Sequence, residues 1–337
     1  MINMKKEIRI VFIGHGEDWL PCMIGDIDRI ENAYFVNSDF PISFSNKYLR
    51  RIVRHIVLSP KIPYFIQKPW FKKIAKVCIS DDKNEPLIVV FFDWNRLGSS
   101  RHFLRFMRSY YCDIRLGYIF TNIVKISGAL LKYDILKDLK SLYDIVYTFE
   151  EDDASNYGFT FSQLFNASYC LPPVERVENR VFFVGVAKDR YPKLLSVYNR
   201  LSDIKVDALF YINRVPSKDQ QISPGLVYNE TIPYSKTQEL EQSSTCLLDI
   251  VQGGAKGYTL KVRSAVSNNK LLITNNPYIK QAPFYNPDYI LYYEKPEDIK
   301  PSFFENPERV RYTEEHKNYF SLEEFVERMK RDLNYGN

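Results

Sequence analysis

The stretch TCLLDIVQGGAKGYTLKVRSAVSNNKLLITNNPYIKQAPFYNPDYILYY, residues 245–293, decides the fold. Its apolar run Cys246-Leu247-Leu248 ends on Asp249 and reads as a buried strand. Gly253, Gly254 and Gly257 then let backbone amides approach a ligand, and Thr259 and Lys261 open a helix. A second apolar run, Leu271 to Thr274, follows and ends on the polar pair Asn275-Asn276. Strand, crossover helix and strand form a right-handed parallel unit, whose ligands lie beyond the carboxyl ends of the strands. Spacing alone fits an ordinary α/β turn without a ligand equally well.

The same grammar recurs along the chain. A strand over Ile8 to Ile13 runs into Gly14-His15-Gly16, and the continuous apolar run Leu87 to Phe92 ends in Asp93-Trp94-Asn95-Arg96. Helices are expected over Arg101 to Tyr111 and Ile135 to Leu142, with strands at Leu116 to Phe120 and Asp144 to Thr148. Pro172-Pro173 and the charged stretch Glu175 to Arg180 interrupt the pattern. A strand from Arg180 to Val184, Gly185, a helix over Tyr191 to Leu201 and a strand over Asp207 to Ile212 then repeat the opening. The order implies an α/β chain with two domains facing a cleft, residues 1–172 and 173–310, each built from alternating strands and helices. Residues 311–337 are expected to form a carboxyl-terminal helix packed on the domains, with a capping box at Ser321-Leu322-Glu323-Glu324 and an apolar stripe of Leu322, Phe325, Val326, Met329 and Leu333.

Composition narrows the class. With 337 residues, 45% hydrophobic and 26% charged, the chain is globular and long enough for two cores. No apolar run approaches the ~20 residues of a membrane span, and the amino terminus lacks a signal-peptide apolar region, so a cytoplasmic protein is expected. Five scattered cysteines and four histidines show no metal-ligand spacing, so neither metal nor other cofactor is expected. The net charge of +5 hides an asymmetry, because Phe40 to Ser80 holds nine Lys or Arg residues and no acid. Residues 45–78 read as two basic amphipathic helices. The first places Leu49, Ile52, Val53, Ile56 and Val57 on one face, and the second begins after Pro69 with Trp70, Phe71, Ile74 and Val77 on one face. Such helices suit an anionic membrane surface, or pack on the domain core with solvated cations outside. No RNA or DNA motif accompanies the cations, so nucleic acid is not an expected partner.

Four segments with their order and spacing carry a resemblance over about residues 140–295. YDIVYTFEEDDASNYGFTF (143–161), VFFVGVAKDR (181–190), and LLDIVQGGAKGYTLKVRSAV with KLLITNN and FYNPDYI (247–290) together resemble a bacterial glycosyltransferase family of GT-B fold, similar to the CgeB-like group and to proteins of capsule and lipopolysaccharide assembly. The resemblance implies two Rossmann-like domains, an acceptor-binding amino-terminal one and a nucleotide-sugar-binding carboxyl-terminal one. It implies metal-independent transfer of a sugar from a nucleotide donor to a lipid-linked or oligosaccharide acceptor. Gly185, Arg190, Gly254, Lys256, Gly257, Thr259, Lys261 and Ser264 are the donor-site candidates, the cations covering the diphosphate leaving group. Ala255, Lys261 and Ser264 stand where the family usually has glutamine, arginine and glutamate, which alters recognition of the donor. The base that deprotonates the acceptor hydroxyl is sought at the carboxyl edge of the first sheet, where His15, Asp18 and Asp93 are the candidates. Two other readings fit: a non-catalytic nucleotide-sugar-binding assembly protein, and a pyruvyltransferase of similar architecture acting on a glycan.

Overall fold

The computed structural model describes residues 7–15, 18–38, 40–93, 95–125, 136, 138–167, 174–251 and 255–335, without the side chain of Cys22. Two units emerge, Met1–Leu164 with Phe325–Asn337, and Phe165–Glu324. Among the described residues, no helix is long and apolar enough to cross a membrane.

The first unit is a parallel sheet of β1 (Arg9–Gly14), β2 (Ala33–Asn37), β3 (Leu87–Phe92), β4 (Ile114–Ile119), β5 (Ile145–Thr148) and β6 (Thr160–Phe161), in the order β2-β1-β3-β4-β5-β6. All six residues of β3 are buried, as expected for a central strand covered on both faces. Its helices include α1 (Trp19–Met23), α2 (Lys47–Leu58), α3 (Tyr64–Cys78), α4 (Arg101–Tyr110), α5 (Leu139–Leu142) and α6 (Glu151–Tyr157). Of the helix expected over Ile135 to Leu142, the structure forms the last turn, α5, while Ile135 and Lys137 lie outside the described residues. The acidic run Glu151, Asp152 and Asp153 forms the first turn of α6, where carboxylates complement the helix dipole.

The α2–α3 hairpin departs from the expected pattern. Asn46 caps α2 by accepting from the amides of Tyr48 and Leu49. Helix α3 begins at Tyr64, six residues before the expected start at Trp70, and carries Pro69 inside it. Gln67 explains the difference. It lies on the buried stripe with Phe71, Ile74 and Ala75, and its Nε2 donates to the carbonyls of Ile56, Val57 and Ser59 at the end of α2. A polar residue at a core position breaks the apolar period that the sequence shows, while supplying donors to carbonyls that α2 leaves unpaired. The apolar faces also divide: Val53, Val57, Phe71 and Ile74 are buried, but Leu49, Ile52 and Val77 are exposed.

The second unit is a parallel sheet of β7 (Arg180–Val186), β8 (Asp207–Asn213), β9 (Leu226–Tyr228), β10 (Cys246–Asp249), β11 (Leu271–Thr274) and β12 (Ile290–Tyr292), ordered β12-β11-β10-β7-β8-β9. Helix α7 (Tyr191–Asp203) connects β7 to β8, α8 (Tyr234–Ser243) precedes β10, and α9 (Leu260–Ser267) connects β10 to β11. A short α10 (Glu314–Asn318) precedes α11 (Leu322–Asp332). From Phe325 on, α11 belongs to the first unit: Phe325 packs on the Tyr147 ring at 5.1 Å and Asp332 accepts from the Tyr147 hydroxyl at 2.8 Å.

Each sheet has one place where the chain reverses its direction of growth. In the first unit it lies between β1 and β3, and in the second between β7 and β10. Open parallel sheets bind their ligands in the crevice that such a reversal leaves at the carboxyl ends of the two strands.

Lys270, just before β11, is buried, and its ammonium donates to the Gln242 carbonyl. Burial, with Arg176 nearby, pushes it from the usual 10.5 down to about 8. A lowered base destabilises the fold fully at pH values under the folded pKa, and the cost disappears as pH rises from about 8 to 10.5. Lys270→Met is therefore expected to be more stable than the parent at pH 7 by on the order of 2 kcal/mol, with the difference shrinking above pH 8, read by urea unfolding across pH. A pH-independent difference contradicts this.

Candidate functional site

In the second unit the switch point is held by one side chain. Arg190, at the start of α7, donates from Nε to the Val186 carbonyl at 3.1 Å and from Nη1 to the Ile250 carbonyl at 2.7 Å. It thereby bridges the ends of β7 and β10. Gly185 leaves space for this seat, because a Cβ there would stand 2.6 Å from Arg190 Nη2 and displace the guanidinium. Burial lowers the Arg190 pKa, while Asp249 and Asp189 favour its charge.

Asp249 anchors the glycine turn. Its buried carboxylate accepts from Thr259 Oγ1 at 2.8 Å and from Thr274 Oγ1 at 2.9 Å, tying the end of β10 to the start of α9 and the end of β11. Burial raises its pKa, against the lowering effect of the two hydroxyls, Arg190 and Lys261. Thr259 also caps α9, its Oγ1 accepting from the Lys261 amide at 3.2 Å. The pair after β11 holds both arms of the turn. Asn275 Oδ1 accepts from the Val251 amide at 2.9 Å, and buried Asn276 donates from Nδ2 to the Lys256 carbonyl at 3.0 Å and the Gly257 carbonyl at 3.5 Å. Gly254, together with Gln252 and Gly253, lies outside the described residues.

The remaining donor-site candidates occupy different places. Lys256 is half-buried on the turn, its ammonium 5.2 Å from the Tyr278 ring centre. Lys261 points elsewhere: its ammonium pairs with the buried carboxylate of Glu241 on α8 and lies 5.2 Å from the Phe182 ring centre. Ser264 is buried in the middle of α9, where its carbonyl accepts from Asn268 Nδ2 at 3.0 Å.

Two cations that the sequence did not single out stand at the same edge. Lys188 follows β7 and Arg214 follows β8; both are exposed, with left-handed backbone at φ 45 and 62. A non-glycine residue in that region costs free energy, and such strain gathers at functional sites. Burial first, then the charges of Arg190 and Arg214, lowers the Lys188 pKa. Arg190 and Arg214 thus disfavour the Lys188 charge at the carboxyl ends of β7 and β8, against the opposing effect of Asp189, and an anion there would favour it.

In the first unit, parallel register pairs Ile13 with Phe91, so His15 and Asp93 follow adjacent strands just past the ends of β1 and β3. His15 is exposed. Asp93 is buried, and Thr121, which follows β4, donates its hydroxyl to Asp93 Oδ1. Asp93 does not cap α4: Ser100 does, accepting from the Phe103 amide at 3.3 Å. Asp18 is exposed, immediately before α1. Among the described residues no cluster of His, Cys, Asp or Glu is arranged to hold a metal.

No protein-family model matches the chain, and no curated protein matches it in sequence. Solved structures do. An alpha-glucosyltransferase in complex with UDP-glucose and DNA containing an abasic site is 9% identical with a TM-score of 0.58, over 97% of this chain and 99% of that one. The fold is that of the GT-B glycosyltransferases. A second match is S. aureus TarM in complex with Fondaparinux, alpha-GlcNAc-glycerol and UDP, at 10% identity and a TM-score of 0.50 over 80% of this chain. This chain spans 59% of that TarM chain's length. At these identities the likeness is one of fold.

Thr274→Val keeps the volume of a fully buried side chain while removing one donor to the Asp249 carboxylate. It is expected to cost about 2 kcal/mol in urea unfolding, and Thr274→Ser to restore most of that loss. Equal stability of the valine variant contradicts the anchoring role.

Proposed function

We propose that the chain is a glycosyltransferase of the CgeB-like, capsule and lipopolysaccharide group, moving a sugar from a nucleotide donor to a lipid-linked or oligosaccharide acceptor on the cytoplasmic side of the membrane. The observation that carries this reading is the coincidence, at one switch point, of a glycine turn, the amino terminus of α9 and the cations Lys188, Arg190 and Arg214. A diphosphate fits that set. The cations and the amide dipoles are in place before reaction, so negative charge growing on the leaving diphosphate is stabilised with little reorganisation. No metal is needed for that task.

Arg190 acts chiefly by fixing the turn against the strand ends, because its bonds go to two carbonyls. Lys188 and Arg214, exposed at the edge, are the phosphate-facing charges, and Lys256 adds to them from the turn. Lys261 and Glu241 hold α9 against α8 and set the direction of the helix amino terminus. Ser264, buried where the family has a longer acidic side chain, removes that carboxylate from donor recognition. In the first unit, the acceptor hydroxyl gives its proton to Asp93 or His15, placed side by side at the other switch point. The Thr121 hydroxyl orients the Asp93 carboxylate.

Isothermal titration with UDP, GDP, TDP and CMP tests the reading. One nucleoside diphosphate is expected to bind selectively; Lys188→Ala, Arg214→Ala and Lys256→Ala are each expected to weaken it about tenfold, the ~1.4 kcal/mol of one lost charged contact, and Arg190→Ala to weaken it by loosening the turn. Donor hydrolysis or transfer by the parent, lost in Asp93→Asn with binding intact, identifies the base. Unchanged affinity in all four variants removes the diphosphate assignment, and tight donor binding without any turnover establishes the non-catalytic alternative.

A further inference from the structure

We propose that the outward face of the α2–α3 hairpin is a docking surface for an anionic lipid bilayer. The proposal deepens the function above by naming the surface that meets the membrane, and it rests on that reading only for the identity of the acceptor.

The hairpin offers more apolar surface than the core accepts. Of the apolar positions on α2, Val53 and Val57 are buried, while Ile52 is 57% exposed, Leu49 47% and Tyr48 76%. Residues 48, 49 and 52 lie three and four apart and so form one stripe on the helix surface. At the start of α3, Phe65 is 73% exposed and Ile66 42%. These belong to the same region, because Gln67 of that turn is hydrogen-bonded to the carbonyls of Ile56, Val57 and Ser59 at the end of α2. Two aromatic and three aliphatic side chains thus face outward on one small helical hairpin.

Charge decides what covers them. Lys47, Arg50, Arg51, Lys61, Lys68 and Lys72 are exposed on the same two helices and their connection. Between Phe40 and Ser80 there is no acidic residue to balance them. Exposed apolar residues rimmed by cations match a surface that is negative outside and apolar just beneath, which describes anionic headgroups over acyl chains. A polynucleotide supplies the negative charge and leaves Leu49, Ile52 and Phe65 without an apolar environment. An acidic protein groove remains as an outcome of the test.

The test is co-sedimentation of the full chain with vesicles of phosphatidylcholine alone and of phosphatidylcholine mixed with phosphatidylglycerol. The parent is expected to bind the mixed vesicles, to leave the neutral ones in solution, and to dissociate as salt is raised. Two paired variants at exposed positions, Ile52→Ser with Phe65→Ser and Arg50→Glu with Arg51→Glu, are each expected to weaken binding at least tenfold with unchanged melting temperature. Their affinity for nucleotide is expected to equal the parent's, which separates this surface from the donor site. No binding to mixed vesicles overturns the proposal. So does loss in the charge-reversed pair without loss in the serine pair, which assigns the patch to a polyanion or an acidic protein.

Discussion

A buried carboxylate that cannot reach water must be satisfied where it stands, and Asp249 is satisfied by two hydroxyls from two other elements. Thr259 belongs to the start of α9 and Thr274 to the end of β11, so one side chain closes the triangle of strand, turn helix and strand. The turn between them has its two arms fixed by Asn275 and Asn276, and Arg190 clamps its first residues to β7. Each contact uses a polar group against a backbone or side-chain partner in a dry environment, where an unmade bond is costly. The result is that both described ends of the turn are fixed at the carboxyl edge of a parallel sheet.

That edge is positive for reasons of topology as much as composition. The chain turns back at the β7–β10 junction, leaving a crevice, and the residues that follow β7 and β8 include Lys188, Arg190 and Arg214. Lys188 and Arg214 hold left-handed backbone without being glycine, and the Lys188 ammonium is disfavoured by burial first and then by Arg190 and Arg214. The proposed diphosphate would supply the compensating charge, and α9 begins at the end of the same turn. The first unit repeats the principle with a different chemistry. Its reversal lies between β1 and β3, and there the residues at hand are a histidine and a buried carboxylate.

Much of this was legible in the sequence because parallel strands buried on both faces are continuous apolar runs. Leu87 to Phe92, Leu271 to Thr274 and the Cys246 to Asp249 run are strands at those residues, and the helix start at Thr259 follows from its capping chemistry. Strands β2, β6, β9 and β12 escaped, since few of their residues are fully buried and no alternation marks them. The beginning of α3 was hidden by Gln67, a polar side chain doing a capping task at a core position. The site was less legible than the fold. That Lys261 pairs with Glu241 depends on α8 packing beside α9, a tertiary fact with no local trace. Arg214 follows a strand without any motif, and only the sheet order brings it near Lys188 and Arg190. The split of the α2 stripe into a buried and an exposed half likewise depends on what the helix packs against.

The central claim is that the β7–β10 switch point of the second unit is the nucleotide site. Hydrogen–deuterium exchange of the full chain with and without the best-binding nucleoside diphosphate tests it directly. The account predicts slowed exchange confined to residues 185–191, 213–215 and the turn and helix start from 250 to 262. Protection elsewhere, with those three segments exchanging as in the free protein, would contradict it.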